Sequence, residues 1–438
     1  MKQIKILLYT SSFFFLLLLA LSFNQPSLIF ISLFFLFSPT IFLKNKNLTI
    51  FFLSCSVSII YFVIYTFITF YETNSLFLSG GDDEFFYRSS IRLFENGFDI
   101  DSQILGVNLI SGNYIGYLYF NYIIINILDF IPFFDTDILS FRLVKYLITS
   151  LIPFFVYKIF QNTVFRLTNK GILILLLFPQ LIFFNYSLIR SSYISLLFCL
   201  LIYVIVYFKN TKIKYLFVLV IIVITAFFRD VSALFLLSFL IFYNLKFEKR
   251  NILFSLSIIL LTIYSSFFLF SETAIAVKLS KVQEAFIDLS SSSNNSSLGL
   301  TVLLSKNPLM FPIKLVYIIL SPIPPKFIYN INITNFISLL GNLSWYFISF
   351  GSAIYYININ KIRDKFSYKI SISLLLCLFS SLIIVLNTTM NPRHIAFLYP
   401  FFVPIGIYGL NSLNRVNKIL LFVTLFTLAI ILFILLKI

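Results

Sequence analysis

Leu48-Thr49-Ile50-Phe51-Phe52-Leu53-Ser54-Cys55-Ser56-Val57-Ser58-Ile59-Ile60-Tyr61-Phe62-Val63-Ile64-Tyr65-Thr66-Phe67-Ile68-Thr69-Phe70-Tyr71 contains no charged residue. Coiled as an α-helix, such a run is about 36 Å long, enough to cross the roughly 30 Å of hydrocarbon in a bilayer. The rest of the chain repeats the pattern. Of its 438 residues 60% are hydrophobic and only 11% charged, with a mean hydropathy of +1.00. Soluble domains carry about 25% charged residues. The apolar runs are continuous rather than alternating, which excludes a barrel. The reading is an all-α, polytopic transmembrane helical bundle of about 12–14 spans. They fall near 4–23, 27–43, 48–71, 141–160, 171–188, 192–208, 213–228, 231–245, 252–271, 332–356, 370–387, 396–413 and 419–436.

Charge orients the bundle. The net charge is +16, yet the basic residues gather in short loops between spans, so the positive-inside rule explains them without nucleic acid. Lys2 and Lys5 put the N-terminus on the cytoplasmic side, and the apolar run Ile4–Ser22, with its basic start, is read as an anchor rather than a cleaved signal. The localisation expected is a plasma or inner membrane, with the active face external or periplasmic. Cys55, Cys199 and Cys377 lie inside apolar runs and offer no metal-ligand spacing. No G-x-x-x-x-G-K-[ST] is present, which argues against ATP-driven transport by this chain alone.

Two stretches resist simple counting. Residues 108–131 are apolar but flanked by acids on both sides, and 309–325 contains Pro312, Pro322, Pro324 and Pro325. Both are read as re-entrant or interfacial segments. Two outer loops are large. The organisation expected is a two-span hairpin over 1–47, a core over 48–245 with an acidic outer loop at 72–107, and a C-terminal region over 246–438 with an outer loop at 272–331.

The acidic loop holds the densest charge, Asp82-Asp83-Glu84 followed by Phe85-Phe86-Tyr87-Arg88. The pattern predicts a short amphipathic helix from about Asp83 to Glu95 lying along the membrane surface. Carboxylates there can serve as a general base toward an acceptor hydroxyl, and Asp82 and Asp83 can hold a divalent cation. The alternative is a solvated loop whose acids complement a helix start. Arg190, Arg229, Arg393 and His394 fall at outer ends of spans, against the positive-inside bias. Guanidinium groups bind phosphate oxygens in pairs, so these are candidate phosphate ligands, with snorkelling anchors as the alternative. Arg88, Arg142 and Lys326 complete the candidate set, with Lys145 near Arg142.

In order, these features resemble the GT-C superfamily of membrane glycosyltransferases, which includes protein O-mannosyltransferases and aminoarabinose transferases of lipid A. The resemblance rests on Asp82-Asp83-Glu84-Phe85-Phe86-Tyr87 after an early span, on Tyr114–Phe130, and on Phe141-Arg142-Leu143. It continues through Leu177-Phe178-Pro179 to Arg190, to Arg229, and to Arg393-His394-Ile395-Ala396-Phe397-Leu398-Tyr399-Pro400. It implies inverting transfer of a sugar from a polyprenyl phosphate or diphosphate to a glycan, lipid or protein acceptor. Asp82 or Asp83 would be base or cation ligand, and Arg190, Arg229 and Arg393 would hold donor phosphate. Polysaccharide-assembly proteins are the expected partners. Polymerases of O-antigen or capsule repeat units share the same composition and loop pattern. A flippase or transporter of lipid-linked sugars is the reading from another class. It predicts short loops and charges within the spans.

Overall fold

The computed structural model describes residues 2–41, 45–77, 82–96, 115–178, 190–244, 333–359, 364–386 and 395–421, with 362, 423, 424 and 427. The described residues are helical, with no strand among them. They pack as two compact units, one of residues 1–162 and 166–234, the other of 163–165 and 235–438.

The first unit begins with α1 (Lys2–Ser22) and α2 (Ser27–Phe37), and Asn24 turns the chain between them at φ 52°. The α3 helix (Asn45–Thr73) lies against α1, with Tyr9 edge-on to Phe52 and Phe23 edge-on to Phe70. Then come α4 (Asp82–Glu95), α5 (Ile115–Phe130), α6 (Ile138–Thr149), α7 (Leu151–Phe160) and α8 (Asn169–Leu176). The unit closes with α9 (Ser191–Tyr207), α10 (Thr211–Phe228) and the start of α11 (Asp230–Asn244).

Among the described residues, four helical stretches are long and apolar enough to cross a membrane: Asn47–Thr73, Ile138–Phe160, Thr211–Phe228 and Lys365–Leu382. Shorter apolar helices cover Ile6–Ser22, Ser27–Phe37, Ser191–Tyr207, Ser232–Asn244 and Ala396–Asn411. The chain is thus a helical membrane protein. The run expected to cross at 27–43 is α-helical only to Phe37, then tightens to a 3₁₀ turn at Ser38–Ile41. Pro39 has no N–H to continue the ladder. The run 171–188 is helical as far as Leu176, shortly before Pro179, and 179–189 lie outside the described residues. The expected span 252–271, the Ser/Asn-rich part of the second outer loop, and 309–325 also lie outside them. Of 108–131, residues Ile115–Phe130 form α5, about 24 Å of helix.

The α6–α7 stretch is the spine of the first unit. Its break at Ser150 has a local cause. Pro153 has no N–H to give to Thr149, and its ring crowds that carbonyl. Helix α3 braces the next residue. Ser54 of α3 donates to the Ser150 carbonyl, and Cys55 Sγ lies 3.2 Å from Ser150 Oγ. Higher up, Ser27 Oγ of α2 meets Ser140 Oγ at 3.1 Å.

The second unit holds most of α11, then α12 (Ile333–Ile357), α13 (Lys365–Leu386) and α14 (Tyr399–Asn411). Phe235 stacks on Phe397 at 5.4 Å, and Trp345 packs on Tyr399 at 4.0 Å. Asp364 caps α13 by accepting from Phe366 N and Ser367 N. Backbones of α12 and α14 approach so closely that only glycine fits. A Cβ on Gly409 would sit 1.8 Å from the Gly351 carbonyl oxygen, and one on Gly351 2.2 Å from that of Gly406.

Gly409→Ala is expected to push α12 and α14 apart and lower the Tm in detergent. The cost is about 1–3 kcal/mol of overpacking, partly offset by the better helix propensity of alanine. An unchanged Tm would show that the two helices are not held at this distance.

Candidate functional site

Two cations lie inside the spine. Arg142 and Lys145 are both 0% exposed and sit one turn apart on α6. Spacing of three residues puts them on one helix face. Each buried charge costs several kcal/mol of desolvation, so such a pair is kept only where polar or anionic groups meet it. Arg142 Nη1 donates to the Leu76 carbonyl at 2.6 Å, and Lys145 Nζ lies 5.6 Å from the centre of the Tyr193 ring on α9.

Aromatic rings build the wall around this point. Tyr193 faces Phe120 at 5.0 Å and Tyr117 at 6.0 Å, and Phe228 closes on Phe120 at 5.2 Å. The approach of α5 to α10 depends on Gly116, where a Cβ would lie 2.3 Å from the Phe227 carbonyl oxygen. Asn121 lies one turn along from Tyr117 on the same buried face of α5, and is itself 0% exposed.

The helix α4 covers the N-terminal end of the spine. Its buried residues are Phe86, Ser89, Ser90 and Leu93, the i, i+3, i+4, i+7 stripe of an amphipathic helix. Phe86 meets Tyr117 edge-on at 5.0 Å. Tyr87 donates its hydroxyl to the Thr136 carbonyl at 3.0 Å. Burial, with the charges of Asp137 and Glu95 nearby, pushes the Tyr87 hydroxyl up to about 12, so it is a neutral donor at physiological pH.

The candidates from the sequence fall into four groups. Asp82 and Asp83 begin α4, where negative charge complements the helix dipole; their side chains lie outside the described residues. Glu84 is tied to Arg88, 2.6 Å apart on the exposed side of the helix. That i, i+4 pair is worth about 0.3–0.5 kcal/mol and leaves Arg88 facing away from the buried cations. Arg190 and Arg229 come together at one corner. Arg190 Nη1 donates to the Phe228 carbonyl at 2.8 Å, and Arg229 follows as the C-cap of α10. Arg190 therefore fastens α9 to α10. Lys326, Arg393 and His394 lie outside the described residues.

Sequence reasoning does not single out Asn121, Ser192 or Tyr193 as site residues. One available signal was Arg142 with Lys145 three residues on, which gives a helix a cationic face; another was an asparagine inside the apolar run of α5. No group of three His, Cys, Asp or Glu side chains is placed to hold a metal among the described residues. A separate cavity of about 330 Å³ between α1, α2 and α3 is lined by apolar side chains with Ser12, Ser32 and Ser56, and holds no charged group. Comparison of the chain with protein-family models, with curated proteins and with solved structures returned no match in any of the three.

Asp137 caps α6, accepting from Ser140 N at 2.9 Å and Leu139 N at 3.2 Å. Burial pushes its carboxyl above the usual carboxylate range, although those cap bonds pull it down. A raised folded-state pKa contributes stability below the ordinary value of about 3.9 and loses it as pH rises through the folded value. Asp137→Asn keeps the accepting oxygen and cannot ionise. Between pH ~4 and ~7 the Tm of the native protein is therefore expected to fall relative to that of the variant. Parallel melting curves in detergent check this, and a native Tm that rises relative to the variant's over that range would reverse the assignment.

Proposed function

We propose that the chain is a membrane glycosyltransferase that takes a sugar from a polyprenyl phosphate or diphosphate at the outer face, in assembly of cell-surface glycan. The observation that carries this reading is the fully buried Arg142–Lys145 pair, one turn apart in an apolar helix whose N-terminal end meets the acidic helix α4. Buried cations attract anions, and a lipid phosphate is an anion that the bilayer itself delivers; a transporter of lipid-linked sugars would use such cations too, and the carboxylates at the start of α4 favour transfer. The architecture in this reading is a GT-C-like bundle of about 12–14 spans.

The chemistry follows from the two charge types. A carboxylate at the start of α4, Asp82 or Asp83, takes the proton of the acceptor hydroxyl. The acceptor oxygen then bonds to the anomeric carbon as the bond from that carbon to the phosphate oxygen breaks. The departing lipid phosphate gains a negative charge, which Arg142 and Lys145 stabilise.

Asp83→Asn and Lys145→Met are each expected to reduce glycan formation by about 100-fold or more, at unchanged protein level. Normal surface glycan in cells carrying only the Asp83→Asn protein would sink the catalytic reading. Sidedness gives a second test, because Cys55, Cys199 and Cys377 are buried and leave little background labelling. A cysteine at the exposed Asn96 position should react with an impermeant maleimide from outside. One at the exposed Lys170 position should react only after permeabilisation. The opposite pattern would overturn the orientation.

A further inference from the structure

Among the described residues, Asn121 Oδ1, Asn121 Nδ2, Ser192 Oγ and Tyr193 Oη are buried near the spine without a hydrogen-bond partner. Their side chains are 0%, 2% and 2% exposed. An unmet buried donor or acceptor costs about 1–3 kcal/mol, and native proteins keep few of them. These four come from neighbouring elements. Tyr193 takes the Lys145 ammonium over its ring and packs on Tyr117 and Phe120 of α5, and Asn121 lies one turn beyond Tyr117. Ser192 and Tyr193 stand in the first turn of α9, which has no side-chain cap.

The chemistry of the unmet atoms restricts what can fill the place. Ser192, Tyr193 and Asn121 Nδ2 can donate, and a phosphate would suit them. Asn121 Oδ1 can only accept, and so can an ionised phosphate oxygen. A single group that met all four would have to both donate and accept, as a hydroxyl does. The surrounding rings offer apolar faces to C–H groups. We propose that Asn121, Ser192 and Tyr193 bind hydroxyl groups of the donor sugar, while the neighbouring Lys145 faces its phosphate. This rests on the lipid-linked donor reading above and assigns the sugar end of that site.

Two measurements test it. Leucine is close to asparagine in size and has no polar atoms to satisfy. The purified Asn121→Leu protein, without ligand, should melt at the same temperature as the native protein or higher. A Tm lower by several degrees would overturn the proposal, because the amide would then belong to the resting core, for instance through a trapped water. The second measurement uses polyprenyl-linked sugars extracted from the cells that make the protein, and the same extract after the sugars have been hydrolysed off. Thermal stabilisation reports binding. The native protein should bind both, the intact extract more tightly. Asn121→Leu should lose about 10- to 100-fold in apparent affinity for the intact extract and none for the hydrolysed one. Equal loss for both, or loss for neither, overturns the sugar assignment and leaves the phosphate reading standing. If neither extract stabilises the native protein, the donor reading itself fails.

Discussion

Full burial of a guanidinium and an ammonium on one apolar helix is the constraint around which the first unit is organised. Arg142 and Lys145 are both 0% exposed, and desolvation at that depth is tolerable only inside a polar layer. The layer is assembled from distant parts of the sequence. Leu76 supplies a carbonyl from beyond α3, Tyr193 a ring from α9, and α4 a cover held by Phe86 and Tyr87. Each of these helices would otherwise be interchangeable hydrocarbon.

The remaining contacts keep that layer in register. Apolar side chains gain little from one another when lipid is as apolar as they are, so small residues and hydroxyls set the spacing of membrane helices. The pattern recurs here. Ser27 meets Ser140, Ser54 meets the carbonyl at the α6–α7 break, and Gly116 admits the backbone of α10. In the second unit Gly351, Gly406 and Gly409 play the same part for α12 and α14.

The elements most legible in the sequence were those with a strong periodic signal. Asp82–Glu95 reads as an amphipathic helix because its apolar residues recur at helical spacing, and it folds as one. The long apolar runs likewise give helices. The site was only half legible. The apolar run 141–160 places Arg142 at its very end. The helix begins at Ile138, capped by Asp137, which carries Arg142 and Lys145 one to two turns inside. Arg190 stood out for its sign at an outer end. Its bond to the Phe228 carbonyl is a tertiary fact that no local pattern encodes. Asn121, surrounded by Tyr and Ile, resembles a tolerated polar residue until its neighbours are known.

The interrupted spine also limits how far anything charged can travel along it. From Ile138 to Lys145 the helix descends about 10 Å, and the polar layer ends there. Below it, Tyr146 to Tyr157 carries no charged residue for about 18 Å, and Ile152, Val156 and Ile159 are sealed from solvent. This part of the helix is an apolar plug below the two buried cations. On the donor reading proposed above, a headgroup held at Arg142 and Lys145 would meet this uncharged stretch of the helix and not be carried along it.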